Sequence, residues 1–351
     1  MQLGERYTVV GDALNGGMGL VYPCQDEILD RRVAVKIIQG GVEERRMLDE
    51  VRALLKLRSK HVVQVYDLLR LDGGSLAIVQ EFVEGPDLFD ASTQAATTEQ
   101  LYKQLWQIAS GIADIHGENV IHRDVKPNNM KLDPEGVIKL FDFGLARDEG
   151  PDASTMGFVG TRGFAAPELY ADHVQFTPAI DVYAFGATAL YLAARDLPPE
   201  LVAQPPLAVP DDFIDRACNG WAPDIKQAIA QCLSPRPHER PAMAEVRHLL
   251  SRYLLVNRHQ GLLVYQGQPS YLNAGNRSVT ADLPGMGGLK INYDGLDFVV
   301  VAINGDVYIN NQQARAGQLL PGSCVIALGA PDLGARRRYI TFDLSSPEVV
   351  I

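Results

Sequence analysis

The chain has 351 residues, 46% of them hydrophobic and 21% charged, which is enough apolar material for about two packed domains and excludes a disordered polymer. Its 43 acids against 32 Lys and Arg give −11, a balance that argues against a general nucleic-acid or anionic-membrane binder. The charge is uneven. Residues 257–351 hold seven acids and seven Lys/Arg, so the whole excess lies in residues 1–256, and a division near 256 is expected. The cysteines Cys24, Cys218, Cys232 and Cys324 are too scattered for a paired metal or redox motif and fit a reducing compartment. The first residues lack a signal pattern, and the longest nearly apolar stretch, 182–194, is too short to span a bilayer. The reading is a cytoplasmic protein.

In chain order, 7–10, 20–23, 32–38, 62–69 and 76–82 are rich in Val, Ile, Tyr and Leu and predict strands. Between them, apolar residues at 47, 51, 54 and 55 predict one helix over 42–58. Helices then dominate, at 101–116, 180–193, 222–233 and 242–255, and the second should be buried all round. The proline-rich run 196–211 cannot be continuous helix. Beyond 260, seven short runs (262–265, 277–283, 288–292, 296–303, 306–310, 323–328, 337–343) predict a β-sandwich or barrel.

Gly16-Gly17-Met18-Gly19, between two predicted strands, can bring backbone close over a phosphate chain. By itself such a run is more often a plain turn. On the next strand, alternation sets Ala34 and Lys36 on one face. Glu50 lies on the apolar side of the 42–58 helix, where a carboxylate needs a cation, and is the chosen partner for Lys36; Glu43 and Glu44 sit near the helix start. The most informative run is His122-Arg123-Asp124-Val125-Lys126-Pro127-Asn128-Asn129, followed by Asp142-Phe143-Gly144. Its proline and asparagines make a loop on which Asp124, Lys126 and Asn129 can converge. Two acids and an amide oxygen near a phosphate site suit alignment of a hydroxyl and binding of Mg²⁺.

This ordered set resembles the protein kinases, in particular the bacterial eukaryotic-like (Hanks-type) Ser/Thr kinases, over about residues 7–256. The resemblance implies an α+β, two-lobed kinase fold (lobes 1–83 and 84–256) that transfers the γ-phosphoryl group of ATP, with Mg²⁺, to protein Ser/Thr hydroxyls. It makes Asp124 the catalytic base, Lys126 the γ-phosphate contact, and Lys36 with Glu50 the α/β-phosphate pair. Asn129 and Asp142 become the metal ligands. Ala13, Leu14, Gly16, Gly17, Gly19, Val21, Ala34, Glu81 and Val83 surround the nucleotide, beside a gatekeeper at Gln80. Gly160–Glu168 resembles the substrate-docking segment, with Glu168 paired to Arg240, Asp181 bracing the catalytic loop and Thr161 touching Asp124 and Lys126. Ser154 and Thr155 are candidate phosphosites, with Arg123 as the receiving arginine. Two departures stand out. Leu14 replaces the family's first loop glycine, and Lys131 stands on the adenine side, where its stem can cover the base while the ammonium reaches solvent.

Residues 308–311, 320–329 and 339–342 resemble the end of a forkhead-associated domain, a small all-β sandwich. Where that family binds phosphothreonine, this chain has Gly275-Asn276-Arg277-Ser278 and Met286-Gly287-Gly288-Leu289, so a docking role without phosphopeptide reading is expected. The rivals to an active kinase are a pseudokinase scaffold and a small-molecule phosphotransferase. The first is opposed by the presence of Lys36, Asp124, Asn129 and Asp142, the second by the docking segment.

Overall fold

Residues 1–16, 19–38, 44–71, 74–143, 161–171, 174–345 and 349 are described by the computed structural model, with side chains at 14–16, 19, 44–47, 49 and 50 outside the description. They form two compact units, Met1–Leu250 and Ser251–Val350.

The first unit begins with β1 (Gln2–Leu3), β2 (Tyr7–Val9), β3 (Leu14–Gly16), β4 (Gly19–Asp26), β5 (Arg31–Ile38), helix α1 (Glu44–Lys56), β6 (Val65–Arg70) and β7 (Leu76–Glu81). The strands form one antiparallel sheet ordered β1-β2-β4-β5-β7-β6, with β3 paired to β4. Alternation divides its faces. Val33, Val35, Ala77 and Val79 pack with Tyr7 and Cys24 on one side, while Ile38 and Ile78 pack against Val51 and Leu54 of α1 on the other. Lys36 lies on the α1 side, between Ala34 and Ile38 along β5.

Helices make the rest of this unit. Helix α2 (Thr98–Gly117) starts at Thr97, whose hydroxyl accepts from Gln100 N at 3.2 Å, a common N-cap arrangement. The hairpin β8 (Met130–Leu132) and β9 (Ile138–Leu140) follows, then α3 (Ala179–Ala194), α4 (Pro199–Val202), α5 (Asp211–Ala217), α6 (Pro223–Cys232) and α7 (Met243–Leu254), which runs across the boundary at Leu250. Helix α3 is buried continuously from Ile180 to Leu192. Gly186 permits this, because a Cβ there would stand 2.9 Å from Leu233 and 3.0 Å from Cys232. The proline-rich run holds one helical turn, α4, beginning at Pro199, the helix position that proline tolerates.

The second unit contains β10 (Gln260–Tyr265), β11 (Gln268–Leu272), β12 (Ser278–Leu283), β13 (Gly287–Tyr293), β14 (Phe298–Gly305), β15 (Val307–Ile309), β16 (Gln312–Gln313), β17 (Ser323–Leu328) and β18 (Arg338–Ser345). Two antiparallel sheets, β11-β10-β18-β17-β15-β16 and β12-β13-β14, share one core that includes Leu263, Ile291, Phe298, Val300, Ile326 and Phe342. All seven runs expected from sequence are strands. The sequence pattern does not show β11, since it is a mostly exposed edge strand containing Pro269. Among the described residues no helix is long and apolar enough to cross a membrane.

Candidate active site

The β8–β9 hairpin builds half of the site. Its register pairs Met130 with Leu140, so the residues just outside it meet: Phe141 N donates to Asn129 O at 3.0 Å. Asn129 and Asp142, thirteen positions apart, therefore lie side by side. Asp142 sits at φ +64° and Arg123 at φ +67°, left-handed conformations that a non-glycine residue holds only when its surroundings over-determine it. Those surroundings are visible. Asp181 of α3 is buried and accepts from His122 N and Arg123 N, both at 2.8 Å, with His116 Nε2 at 2.9 Å. His122 is also buried, which pushes its imidazole pKa down. The neutral ring fits its contacts, with Nε2 3.0 Å from Phe141 O and Nδ1 accepting from Asp124 N at 3.4 Å.

Asp124 is thus presented on a loop fixed from both sides. Asn129 Nδ2 donates to Asp124 O at 2.8 Å and to Oδ2 at 3.0 Å. Thr161 Oγ1 donates to Asp124 Oδ1 at 3.0 Å, and Lys126 Nζ lies 2.9 Å from Asp124 Oδ2 and 2.8 Å from Thr161 Oγ1. The contacts expected of Thr161 are present. Lys36 Nζ donates to Asp142 Oδ1, and both groups are largely buried.

A cleft of about 430 Å³ is lined by Val21, Ala34, Lys36, Gln80, Glu81, Val83, Lys126, Asn129 and Asp142 among others; Asp124 is not in its lining and is tied to it through Lys126 and Asn129. Cofactor pockets are usually of this size. Ala13 is half-buried and absent from the lining. Leu14, Gly16 and Gly19 are placed by backbone only, in the β3–β4 hairpin, where Gly16 pairs with Gly19. Glu50 lies in α1 with its side chain outside the description, and Gly17, Ser154 and Thr155 lie outside the described residues. The described partner of Lys36 is Asp142.

The segment after β7 is braced more heavily than the sequence suggests. Glu81 N donates to Gln64 O at 2.8 Å, and the Glu81 carboxylate lies 2.7 Å from Lys139 Nζ. Arg32 lies over the Phe82 ring at 4.1 Å and pairs with Glu84 at 2.8 Å. Gly85, at φ +104°, passes so close to β8 that a Cβ would stand 2.1 Å from Leu132 O. Lys131 Nζ donates to Val83 O at 3.0 Å. Its ammonium is therefore held by a backbone carbonyl, a correction to the solvent-directed placement expected from sequence; a carbonyl within reach offers a partly buried side chain a closer partner than bulk water. Sequence reasoning also missed Val63, Asp87, Asn128 and Phe141, all of which line the cleft. Asp87 had one legible signal, its place just beyond Val83-Glu84-Gly85-Pro86.

Away from the cleft, Arg240 Nη1 and Nη2 donate to the two Glu168 carboxylate oxygens at 2.6 and 2.8 Å, and Nη1 also donates to Ala179 O at 2.8 Å. The expected Glu168–Arg240 pair thus ties residues 161–168 to the start of α3.

A family model described as a protein kinase domain matches residues 7–250. The chain belongs to the protein kinase family. Among curated relatives, the serine/threonine-protein kinase drp72 of Corynebacterium efficiens is 34% identical over 197 residues, covering 52% of this chain and 38% of that protein. The serine/threonine-protein kinase pkn3 of Myxococcus xanthus is 30% identical over 271 residues, covering 68% of this chain and 48% of the relative. The chain thus spans less than half the length of either kinase.

Proposed function

We propose that the chain is an ATP-dependent Ser/Thr protein kinase whose reaction runs at Asp124. The observation that carries this reading is the convergence of Lys36, Lys126, Asn129 and Asp142 on one cleft, with Asp124 held against Lys126 and Asn129. Asp124 is the base: its carboxylate, steadied by Thr161 and Asn129, aligns the acceptor hydroxyl and takes its proton as the bond to the γ-phosphorus forms and the bond from that phosphorus to the bridging oxygen breaks, releasing ADP. Lys126 neutralises charge on the transferred group, and Lys36 holds the phosphate chain. Glu50 is the proposed further partner of Lys36. Val21 and Ala34 enclose the base, Glu81 and Val83 offer it backbone hydrogen bonds, and the Ala13–Gly19 hairpin, with Leu14, Gly16, Gly17 and Gly19, covers the nucleotide.

The donor set suits Mg²⁺. Asn129 spends its amide nitrogen on Asp124, which leaves the oxygen as its free end, and Asp142 supplies a carboxylate beside it, both hard oxygen donors. Bound there, the ion supplies charge neutralisation on the phosphate oxygens. Lys126 and Thr161 beside Asp124 support Ser/Thr acceptors. Ser154 and Thr155 are the proposed autophosphorylation sites, with Arg123 the receiving arginine. A cytoplasmic location completes this reading.

For the second unit the reading is a forkhead-associated-like sandwich that docks partners without reading phosphothreonine. Its two-sheet core supports the sandwich. Arg277 donates to Asn257 Oδ1 at 2.6 Å, and Met286–Leu289 supply no cationic or hydroxyl side chain for a phosphate.

Transfer of labelled γ-phosphate to a generic protein substrate tests the proposal. Wild type should label it and Asp142→Ala should not; equal labelling would remove Asp142 from the mechanism.

A further inference from the structure

The two sheets of the second unit differ on their outer sides. On β12-β13-β14 the side chains that alternate with the core are Ser278, Thr280, Asp282 and Lys290, all exposed, the polar exterior of a sheet that faces water on one side. The six-stranded sheet breaks this rule. Alternation against its core side chains directs Leu262 and Val264 of β10, Tyr271 of β11, Tyr308 of β15, Val325 of β17 and Tyr339 of β18 outward. Tyr271, Val325 and Tyr339 are 45%, 43% and 53% exposed. The register joins them into one face. Leu262 stands beside Tyr271, Val264 and Val325 flank Thr341, and Ala327 lies between Tyr308 and Tyr339. A continuous apolar and aromatic face of this kind marks a surface that binds another.

Strand β18 crosses the middle of that face with opposite charges towards its two ends. Its outward side chains run from Arg337, just ahead of the strand, through Tyr339 and Thr341 to Asp343. The Arg337 guanidinium lies 4.8 Å from the centre of the Tyr308 ring and 6.0 Å from that of Tyr339, and Nε donates to Gly329 O at 3.0 Å. Rings and a carbonyl orient the cation on this face. Asp343 is exposed, beside Leu262 and Ser323. Arg337 and Asp343 stand equally far before and after Ile340. A two-fold axis at that point, with two such faces packed antiparallel, sets each Arg337 against Asp343 of the other copy and each Tyr339 against the other Thr341. A closed two-fold interface requires this reciprocity, and sheets pack face to face about 10 Å apart with their strands near alignment. An unlike partner would have to supply an acid and a cation at the same spacing. The face itself already does.

We infer that the outer side of the six-stranded sheet is a self-association surface, whose partner is a second copy of this chain packed about a two-fold axis with Arg337 paired to Asp343 of the other copy. This inference rests on the docking role read for the second unit and supplies its partner. It is independent of the kinase reading, since neither nucleotide nor phosphoryl transfer enters it.

Analytical ultracentrifugation of the full chain without nucleotide tests it. The average mass of wild type should climb from one chain to two, and no further, as concentration rises through the micromolar range. Val325→Glu changes an exposed side chain outside the core and should raise the dissociation constant at least roughly tenfold, because a charge is then buried without a partner. Arg337→Glu and Asp343→Arg should each do the same through like-charge contacts. An equimolar mixture of those two variants should recover the two-chain species, since each copy then meets an opposite charge at both ends, and misfolding cannot produce that recovery. Wild type that stays a single chain overturns the inference alone, because docking of an unlike protein leaves the mass of the pure chain unchanged. Assembly beyond two chains, wild-type association by Val325→Glu, or a mixture that stays single-chain also overturns it.

Discussion

Both carboxylate oxygens of Asp181 are committed to the loop that presents Asp124, Oδ1 to Arg123 N and Oδ2 to His122 N, each at 2.8 Å. One buried side chain on the most buried helix thus fixes the backbone one and two residues from the proposed base, and holds Arg123 in a left-handed conformation. Asp181→Ala leaves two buried N–H groups unsatisfied and should cost about 2–5 kcal/mol. Both tryptophans, Trp106 and Trp221, lie in the first unit, so urea unfolding followed by their fluorescence reads this loss. A cost within about 0.5 kcal/mol, that of an ordinary surface change, would show that the loop is held by something else.

Removing half of the Glu168–Arg240 pair strands a charge, since the Arg240 side chain is wholly buried. Glu168→Ala should destabilise the first unit by roughly 3–5 kcal/mol. Arg240→Lys should recover only part of the wild-type stability, because one ammonium cannot reproduce the two-pronged contact with Glu168 and the bond to Ala179 O. Full recovery by lysine in the same fluorescence assay would contradict the geometry.

Acid sensitivity should track Asp26. Its hydrogen bonds from Arg6, with the Leu29 and Ile28 N–H groups, hold the carboxyl at about 2, below its ordinary 3.8. The folded pKa is depressed, so the stabilisation is fully present above about 3.8 and disappears as pH falls through about 2. Asp26→Asn should therefore be less stable than wild type at neutral pH, with the gap closing between pH 4 and 2. A gap independent of pH in that window would remove Asp26 as its source.

The four thiols should be inert in the folded chain. Burial pushes Cys24 and Cys324 up to about 11 and Cys218 and Cys232 up to about 12, so almost no thiolate forms near pH 8. A disulfide-exchange reagent should titrate none of them without denaturant and all four in guanidinium. Rapid native reaction of any one would show that its site opens.

Much of this arrangement was legible because its signals were local. The faces of β5 follow from alternation around Lys36, and the loop from Asp124 to Asn129 follows from Pro127 and its asparagines. The β8–β9 hairpin was not legible, since three-residue strands are too short to show a period, yet its register is what brings Asn129 to Asp142. The Lys131–Val83 contact was missed for a related reason. A lysine's reach is set by the nearest acceptor in space, and Val83 is 48 residues away in sequence. The pairing of Glu168 with Arg240 was readable only through the resemblance, since no local pattern connects positions 72 apart.

The most direct test of the central claim is intact-mass analysis of the full chain and of Asp124→Asn, each incubated with MgATP and a generic Ser/Thr protein substrate. Nucleotide binding is followed alongside by fluorescence. Both proteins should bind nucleotide, since the amide keeps the shape of the carboxylate, but only wild type should add phosphoryl mass to itself or to the substrate, with transfer by the variant lower by orders of magnitude. Transfer by Asp124→Asn at a rate near that of wild type would contradict the account.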